Sequence, residues 1–225
     1  MVTSTLYTKY TILAAGEFPT TKSCIDSLMG ADVLVCCDSA FREVLPYRTP
    51  DFIVGDMDSI SPFEETRFRH IIHSESEQEF NDLTKAMRFV LRKAQQLGQT
   101  PLITILGATG KREDHTIGNI SLLMMYLDML PKGATIEMLT DYGKFIPLYG
   151  DSRIKVKIGN IISIFASDES LVLNTVGVEY PTDKVVFDAW GWWKATLNTA
   201  TDEEIFFKMN HPAKILLFVG EDKMS

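Results

Sequence analysis

Residues 102–115 read Leu-Ile-Thr-Ile-Leu-Gly-Ala-Thr-Gly-Lys-Arg-Glu-Asp-His. A short apolar run is followed by a glycine-containing turn and then by the polar start of a helix, which is the order of elements in an α/β protein. Comparable apolar runs lie at residues 10–15, 32–36, 52–54, 71–72 and 136–139, and most are separated by enough chain for a helix. The sequence therefore predicts an α/β fold with a doubly wound, mostly parallel, Rossmann-like sheet.

Two of the connecting helices are visible in the spacing of apolar residues. Between residues 83 and 97 the apolar side chains recur at i, i+3, i+4 and i+7, with Asn81 at the N-cap and Gly98 at the C-terminal end. A second helix is predicted over residues 119–130, where the apolar residues again share one face, and it ends at Pro131.

The second part of the chain, after about residue 142, has a different pattern. Short, often alternating apolar runs are separated by turn residues, at 153–158, 161–165, 171–173, 185–187, 205–207 and 215–219. This pattern predicts a smaller all-β sandwich, so that the chain divides into domains 1–145 and 146–225. Trp190, Trp192 and Trp193 fall in the second domain, where core or subunit-interface packing is expected and a platform for a flat cationic ligand is the alternative.

Composition and charge narrow the possible functions. The chain has 225 residues, of which 45% are hydrophobic and 23% are charged, as in ordinary folded proteins. Its formal net charge is −8 and it has no long basic run, so a nucleic-acid partner is not expected. A nucleotide bound together with a divalent cation remains compatible with this charge, because carboxylates can hold the cation.

Cysteine usage and hydropathy predict a location. Cys24, Cys36 and Cys37 form neither a disulfide framework nor a zinc-binding spacing, which favours a reducing compartment. No signal peptide is evident at the amino terminus, and no segment approaches the roughly 20 apolar residues of a membrane span. We therefore expect a cytoplasmic protein without a membrane partner.

Four polar clusters follow predicted strands of the first domain, at residues 38–39, 55–59, 81–82 and 107–115. In open α/β sheets, ligands bind at the carboxyl ends of the strands. The clusters are therefore expected to face one crevice.

The cluster 55–59 carries two carboxylates, Asp56 and Asp58, which point to the same side if the chain is extended. Two like charges at about 4 Å repel by about 4 kcal/mol at an effective dielectric of 20, so a partly buried pair favours a bound cation. Mg²⁺ is the natural candidate, since it takes oxygen ligands and is commonly shared with substrate phosphates. The alternative is a simple turn, because Gly, Asp and Ser are turn residues.

The helix start near residue 82 leaves two interpretations open. Asp82 lies in the first turn, where the helix dipole stabilises an acid without any function. Lys85, one turn along the same helix, can pair with Asp82 or reach a phosphate.

The glycine segment 107–111 is similar to a phosphate-binding P-loop but lacks its spacing, which requires four residues between the glycines and Ser or Thr after the lysine. A turn of this kind can still present backbone N–H groups to phosphate at a helix start. Arg112 suits a phosphate and Asp114 a metal. In the alternative interpretation, Asp114 only caps the helix.

Three motifs in order resemble those of the thiamine pyrophosphokinase family: Pro50-Asp-Phe-Ile-Val-Gly-Asp-Met-Asp-Ser59, Glu77-Gln-Glu-Phe-Asn-Asp-Leu-Thr-Lys-Ala86, and Gly107-Ala-Thr-Gly-Lys-Arg-Glu-Asp-His115 with Asn119. The resemblance extends to Gly177-Val-Glu-Tyr-Pro181 and Thr196-Leu-Asn198. It implies an α/β nucleotide-binding domain, a β-sandwich domain and a homodimer with thiamine sites between the subunits. The implied reaction moves the pyrophosphoryl group of ATP to the hydroxyl of thiamine, with Mg²⁺ as cofactor, and releases AMP.

The resemblance also implies roles for individual residues. The implied catalytic residues are Asp56, Asp58, Asp82 and Asp114, of which the first three hold Mg²⁺. The implied ATP-binding residues are Asp38, Ser39, Lys85, Thr109, Arg112 and His115. The implied thiamine-binding residues are Gln78, Tyr180, Thr196 and Asn198.

The chain departs from the family pattern at several places. The early motif reads Cys37-Asp-Ser-Ala-Phe41 where Ala-Asp-Gly-Gly-Ala is usual, Lys111 replaces a glycine, and Leu197 stands where the family generally has Ser. Three alternatives to a thiamine pyrophosphokinase therefore stay open at this point. They are a pyrophosphokinase of another hydroxymethyl heterocycle such as a pterin, a non-catalytic sensor of thiamine diphosphate or a nucleotide, and a metal-dependent nucleotide hydrolase.

Overall fold

The computed structural model of the chain describes residues 6–188 and 195–220. The chain divides into two compact units, Met1–Asp141 and Tyr142–Ser225. The boundary predicted from the sequence, between residues 145 and 146, lies inside the first strand of the second unit. Trp190, Trp192 and Trp193 lie outside the described residues.

Six parallel strands form the sheet in the described part of the first unit. They are β1 (Leu6–Leu13), β2 (Val33–Cys37), β3 (Phe52–Gly55), β4 (Ile72–Ser74), β5 (Gln99–Leu106) and β6 (Thr135–Thr140). Their order across the sheet is β6-β5-β1-β2-β3-β4, and every pairing between them is parallel. The chain therefore proceeds from β1 to one edge and later returns to β5 on the other side of β1.

The strands are connected by α1 (Lys22–Met29), α2 (Phe41–Val44), α3 (Pro62–Phe68), α4 (Asp82–Gln96) and α5 (Glu113–Met129), with a 3₁₀ turn at Asp38–Ala40. The predicted helix α4 is confirmed, with the side chain of Asn81 accepting a hydrogen bond from the Thr84 backbone N–H at 3.0 Å. Helix α5 begins at Glu113, inside the polar segment where a helix start is predicted, although the apolar spacing indicates the helix only from residue 119. Its first turns carry mostly polar residues, so apolar spacing gave no signal there.

Helices cover both faces of this sheet. On one face, Leu13, Leu34 and Ile53 pack in a cluster with Leu28 of α1 and Phe41 of α2. Residues adjacent to these in the strands point to the opposite face, where α4 packs against β1, β2, β3 and β5. The buried strands read as continuous apolar runs for this reason, and the doubly wound arrangement follows.

Asp141, directly after β6, ties that end of the sheet to the start of α1. Its carboxylate accepts hydrogen bonds from the Thr20 backbone N–H at 2.9 and 3.0 Å and from the Thr21 backbone N–H at 2.9 Å. It also accepts hydrogen bonds from the hydroxyls of Thr20 and Thr21, at 2.8 and 2.9 Å. Burial alone raises the pKa of Asp141, but these hydrogen bonds outweigh it and hold the pKa at about 2. The ionised form is therefore the one that stabilises the fold.

We expect Asp141→Asn to lower the free energy of unfolding at pH 7 by about 1–3 kcal/mol, because an amide cannot replace both acceptor oxygens. The contribution of Asp141 is present above the ordinary carboxyl pKa, and it is lost as the pH falls towards 2. Denaturant unfolding of wild type and variant at pH 7 and pH 2.5 measures the difference. Glu65→Gln, an exposed carboxylate on α3, is the control, and an equal loss in both variants would contradict the assignment.

The second unit consists of two antiparallel sheets. Its strands are β7 (Gly143–Tyr149), β8 (Ser152–Lys155), β9 (Ile161–Phe165), β10 (Leu173–Val176), β11 (Asn198–Thr199), β12 (Glu204–Met209) and β13 (Lys214–Gly220). One sheet has the order β11-β9-β13-β7 and the other β10-β12-β8. Ile164 and Leu217 of the first sheet share a core with Leu173 and Phe207 of the second. The predicted fold class, a mostly parallel α/β sheet followed by a smaller β-sandwich, is confirmed.

One predicted strand of this unit is wrong. Residues 185–187 form no strand, although Phe187 is buried in the core of the sandwich and Val185 packs against it. The apolar alternation there reflects side chains that anchor a loop. Among the described residues, no helix is long and apolar enough to cross a membrane.

Candidate active site

Three carboxylates lie close together at the carboxyl edge of the first unit's sheet, and two of them pair with one lysine. Asp38 follows β2 directly, Asp56 follows β3 directly, and Asp82 is the first residue of α4. The Lys85 ammonium lies 3.1 Å from Asp82 Oδ1 and 3.6 Å from Asp56 Oδ2. Lys85 therefore pairs with Asp82, as one of the two interpretations from the sequence expected, and also with Asp56; its contact with a phosphate stays a prediction.

The lysine is the most deeply buried charge of this group, with 2% of its surface exposed. Burial alone lowers the pKa of Lys85, but the hydrogen bond to Asp82 and the charges of Asp82 and Asp56 outweigh it, so the pKa is raised. Burial raises the pKa of Asp82, and Asp56 and Asp38 act in the same direction against the opposing effect of Lys85. The ammonium therefore remains charged and offsets the repulsion between carboxylates that are partly removed from water.

Asp38 and Asp58 keep oxygen atoms available. Asp38 Oδ2 accepts a hydrogen bond from the Ser59 hydroxyl, whereas its Oδ1 is buried and has no hydrogen-bond partner in the described part of the chain. Asp58 is exposed, and its backbone N–H donates to Asp56 Oδ1 at 3.2 Å. Because Met57 has φ +68°, the segment is a turn rather than the extended chain assumed from the sequence.

These oxygens fit a hard divalent cation such as Mg²⁺. A buried carboxylate oxygen without a partner is costly, and an oxygen-binding cation would satisfy it. Among the described residues, no group of three or more His, Cys, Asp or Glu side chains is assembled around a common point that could hold a metal. Lys85 occupies the space between Asp56 and Asp82 instead. The magnesium assignment to Asp56, Asp58 and Asp82 therefore stays a prediction.

A cavity of about 290 Å³ adjoins Asp82, a size near the lower end of small-molecule sites. It lies beyond the end of β1, between β2 and β5, where the strand order reverses and where ligands of such sheets bind. Two helix amino termini, those of α4 and α5, line it and favour an anionic ligand. The lining residues are Ala14, Ala15, Gly16, Cys37, Asn81, Asp82, Leu83, Ala108, Gly110, Lys111, Arg112, His115 and Asn119.

Beside this cavity, the backbone that follows β1 is hydrogen-bonded to the backbone that follows β5. The Gly16 N–H donates to the Gly107 carbonyl at 2.7 Å, and the Glu17 N–H donates to the Thr109 carbonyl at 2.8 Å. A Cβ at Gly16 would lie 2.4 Å from the Gly107 oxygen, so only glycine fits there. Gly16 is not among the residues predicted from the sequence, although its position directly after an apolar run was an available signal.

Two side-chain amides, those of Asn81 and Asn119, join the starts of α4 and α5 to the glycine turn by hydrogen bonds. Asn81 Nδ2 donates to Asn119 Oδ1 at 3.2 Å, and Asn119 Nδ2 donates to the Ala108 carbonyl at 2.8 Å. Asn119 is buried and therefore depends on these partners. These two hydrogen bonds fix the distance between α4, which carries Asp82, and the turn that follows β5.

Asp114 and Arg112 pair with each other at the start of α5. The Arg112 Nε and Nη2 atoms donate to Asp114 at 3.1 and 2.6 Å, and this hydrogen bonding lowers the pKa of Asp114. The His115 backbone N–H donates to Asp114 Oδ1 at 2.9 Å, but Asp114 lies within the first turn and is not the N-cap, which is Arg112. Asp114 makes no contact with Lys85, so the structure does not join it to the three-carboxylate group.

The remaining predicted residues of the first unit differ in exposure. Ser39 lies half-buried in the 3₁₀ turn after β2, and Thr109 lies half-buried in the turn after β5. Gln78 is exposed in the loop between β4 and α4. The structure therefore places Ser39 and Thr109 at the edge that carries Asp38, and it shows no contact that ties Gln78 to this group.

In the second unit, Asn198 holds the backbone of a loop. Its Nδ2 donates to the Tyr180 carbonyl at 2.6 Å, and its Oδ1 accepts from the Tyr180 and Thr199 backbone N–H groups at 3.0 and 2.9 Å. Tyr180 itself is exposed, and Thr196 is half-buried. Leu197 has φ +59°, in the left-handed region that leucine rarely adopts. Its side chain is also exposed, with 77% of the residue surface accessible.

Comparison with known proteins gives consistent matches along the chain. The family model described as the thiamin pyrophosphokinase catalytic domain matches residues 26–134, and that described as the thiamin pyrophosphokinase substrate-binding domain matches residues 143–218. A curated relative, thiamin pyrophosphokinase 1 of Caenorhabditis elegans, is 26% identical over 187 residues, which cover 77% of this chain and 74% of the relative. Thiamine pyrophosphokinase 1 of Oryza sativa subsp. japonica is 37% identical over 82 residues, or 34% and 31% of the two chains.

Solved structures share the fold. Thiamine pyrophosphokinase from Bacillus subtilis superposes with a TM-score of 0.76 at 22% identity, covering 95% of this chain and 99% of the other. Thiamin pyrophosphokinase from Candida albicans gives a TM-score of 0.75 at 18% identity, covering 99% and 95%. The arrangement of an α/β unit and a β-sandwich unit is therefore common to these proteins and to this chain.

Proposed function

Because this chain belongs to the thiamin pyrophosphokinase family and is an enzyme, we propose that it transfers the pyrophosphoryl group of Mg-ATP to the hydroxyl of thiamine. The observation that carries the proposal is the group of Asp38, Asp56 and Asp82, of which the last two pair with Lys85, beside a cavity lined by two helix amino termini. Carboxylates that can hold a cation, next to donors that favour an anion, suit a metal-bound polyphosphate.

In the proposed reaction, the thiamine hydroxyl oxygen attacks the β-phosphorus of ATP. A bond forms between them, the bond from the β-phosphorus to the oxygen bridging to the α-phosphorus breaks, AMP leaves with that oxygen, and the hydroxyl proton is released to water. Asp56, Asp58 and Asp82 would hold Mg²⁺, with the partnerless Asp38 Oδ1 as a further oxygen donor. When bound, the ion neutralises charge on the phosphates.

The chain's own residues position the nucleotide and balance its charge. Lys85 contacts both Asp56 and Asp82 and offsets their mutual repulsion, so that these carboxylates are held close together for a cation. Arg112 lines the cavity together with the start of α5 and offsets phosphate charge. Preorganised charges of this kind supply most of the rate in phosphoryl transfer, which needs little covalent chemistry from the protein.

The thiamine site is proposed to include Gln78, Tyr180, Thr196 and Asn198, and to lie between the subunits of a homodimer. Asn198 supports this by fixing the loop that presents the exposed Tyr180 ring. A cytoplasmic location is also proposed, and the three free, buried cysteines fit a reducing compartment.

The test is AMP release from ATP and Mg²⁺, with and without thiamine, followed by mass detection of the product. We expect AMP only when thiamine is present, together with an equal amount of thiamine diphosphate. AMP formed equally without thiamine would identify a nucleotide hydrolase. No AMP in either reaction would transfer the assignment to another hydroxymethyl heterocycle, tested next with a hydroxymethyl pterin, or to a sensor that binds thiamine diphosphate without turnover.

A further inference from the structure

Lys111 has a backbone conformation that a lysine does not favour. Its φ is +60°, in the left-handed region where a Cβ is strained and where glycine is the usual residue. Strain of this kind persists where other interactions compensate for it, and it concentrates at binding sites. We therefore expect Lys111 to make an interaction that compensates for its backbone strain.

The contacts that Lys111 makes in this structure are weak ones. Its ammonium lies 3.0 Å from Glu43 Oε1 on α2 and 3.3 Å from the Ala15 carbonyl oxygen at the end of β1. The side chains of Lys111 and Glu43 are 53% and 45% exposed. An ion pair exposed to water returns less free energy than a left-handed lysine costs, so Glu43 does not account for the strain.

The position of the Lys111 ammonium indicates which interaction compensates for the backbone strain. Lys111 lines the cavity beside the end of β1, together with Arg112 and the amino terminus of α5. Arg112 already donates two hydrogen bonds to Asp114, whereas Lys111 contacts the exposed carboxylate of Glu43 and the Ala15 carbonyl oxygen. A dianionic or trianionic chain of phosphates in this cavity would attract the ammonium more strongly than a single exposed carboxylate.

We propose that Lys111 is an exchangeable phosphate ligand: its ammonium leaves Glu43 and binds the polyphosphate of the nucleotide, and Glu43 competes with the nucleotide for it. The inference rests on the proposed function, because that function places a nucleotide polyphosphate in this cavity. Glu43 then sets the affinity without touching the nucleotide, since every bound phosphate must displace it from Lys111.

Calorimetric binding of Mg²⁺ and α,β-methylene-ATP tests this proposal, because the analogue cannot transfer its pyrophosphoryl group. We expect Lys111→Met to weaken binding roughly tenfold and Lys111→Arg to restore most of it. We expect Glu43→Gln to tighten binding about two- to fivefold in the wild-type background and to have no effect in the Lys111→Met background. Adenosine, which lacks phosphate, should bind wild type and Lys111→Met equally.

The control is Lys132→Met, which removes an exposed lysine before β6, at the opposite end of the strands, and should leave binding unchanged. Melting temperatures of all variants should lie within about 2–4 °C of wild type, the range of a 1 kcal/mol change in a chain of this size. Unchanged analogue binding in Lys111→Met, or equal effects of Glu43→Gln in both backgrounds, would overturn the inference while leaving the proposed function intact. A wild-type protein that does not bind the analogue would overturn both.

Discussion

Asp58→Asn should lower kcat by roughly 10²–10³-fold or more while leaving the stability of the protein unchanged. Asp58 is exposed, and its carboxylate makes no hydrogen bond or ion pair with the residues that the structure describes. Its side chain therefore has no structural role that the substitution could disturb. A carboxylate that is kept free beside Asp56 and the partnerless Asp38 Oδ1 is available to a cation, and its loss should be felt only in turnover.

The measurement for Asp58→Asn is thiamine-dependent AMP release over a range of Mg²⁺ concentrations, together with the melting temperature. The Mg²⁺ concentration for half-maximal activity should rise, because an amide is a weaker ligand than a carboxylate. Asp26→Asn is the matched control, since Asp26 is an exposed aspartate on α1 that pairs with the exposed Lys22. Near-normal turnover in Asp58→Asn would remove the metal-binding role from the proposed mechanism.

The parts of the fold that follow from local sequence were predictable. Helix α4 shows this best, because its apolar residues share one face and the Asn81 side chain caps its first turn. The parallel strands were also recognisable, because strands buried on both faces read as apolar runs. The start of α5 was recognisable only from the polar segment after the glycine turn and not from apolar spacing, since its early turns carry few apolar residues and its N-cap Arg112 makes no side-chain cap.

The positions of the site residues were predictable, but their interactions were not. The sequence placed Asp56 and Asp82 at ends of elements that meet at one edge, as they do. It left open whether Lys85 reaches Asp82 or a phosphate, and it gave no sign of the contact with Asp56, because that contact depends on how α4 packs beside β3. The same limit applies to Asn119, whose partners lie on two other segments.

Strained backbone conformations also occur at the residues of the predicted site. In the described part of the chain, the non-glycine residues with positive φ are Asp38, Met57, Lys111 and Leu197. Each lies in or beside a cluster that the sequence singled out for its side chains, although side-chain type alone does not reveal φ. Such conformations cost about 1–3 kcal/mol each and persist where surrounding structure or a ligand compensates. The strained backbone positions of the described residues therefore coincide with the clusters that the sequence predicts as functional.

Lys85→Met should have the largest effect on stability, lowering the free energy of unfolding by about 3–5 kcal/mol. Lys85 is 2% exposed and contacts both Asp56 and Asp82, so its removal leaves two partly buried carboxylates without a counter-charge. Methionine fills a similar volume, which means that the loss reports charge rather than packing. Turnover should also be abolished, because the repelling carboxylates would no longer hold their positions.

Two comparisons separate this electrostatic explanation from simple misfolding. The double variant Lys85→Met with Asp82→Asn removes one of the unpaired charges and should recover part of the lost stability, measured by denaturant unfolding. Mg²⁺ should raise the melting temperature of Lys85→Met more than that of wild type, because the ion replaces the missing ammonium among the carboxylates. Lys22→Met, which breaks an exposed pair with Asp26, should cost less than about 1 kcal/mol. If Lys85→Met were as stable as Lys22→Met, the ammonium would not be what holds Asp56 and Asp82 together.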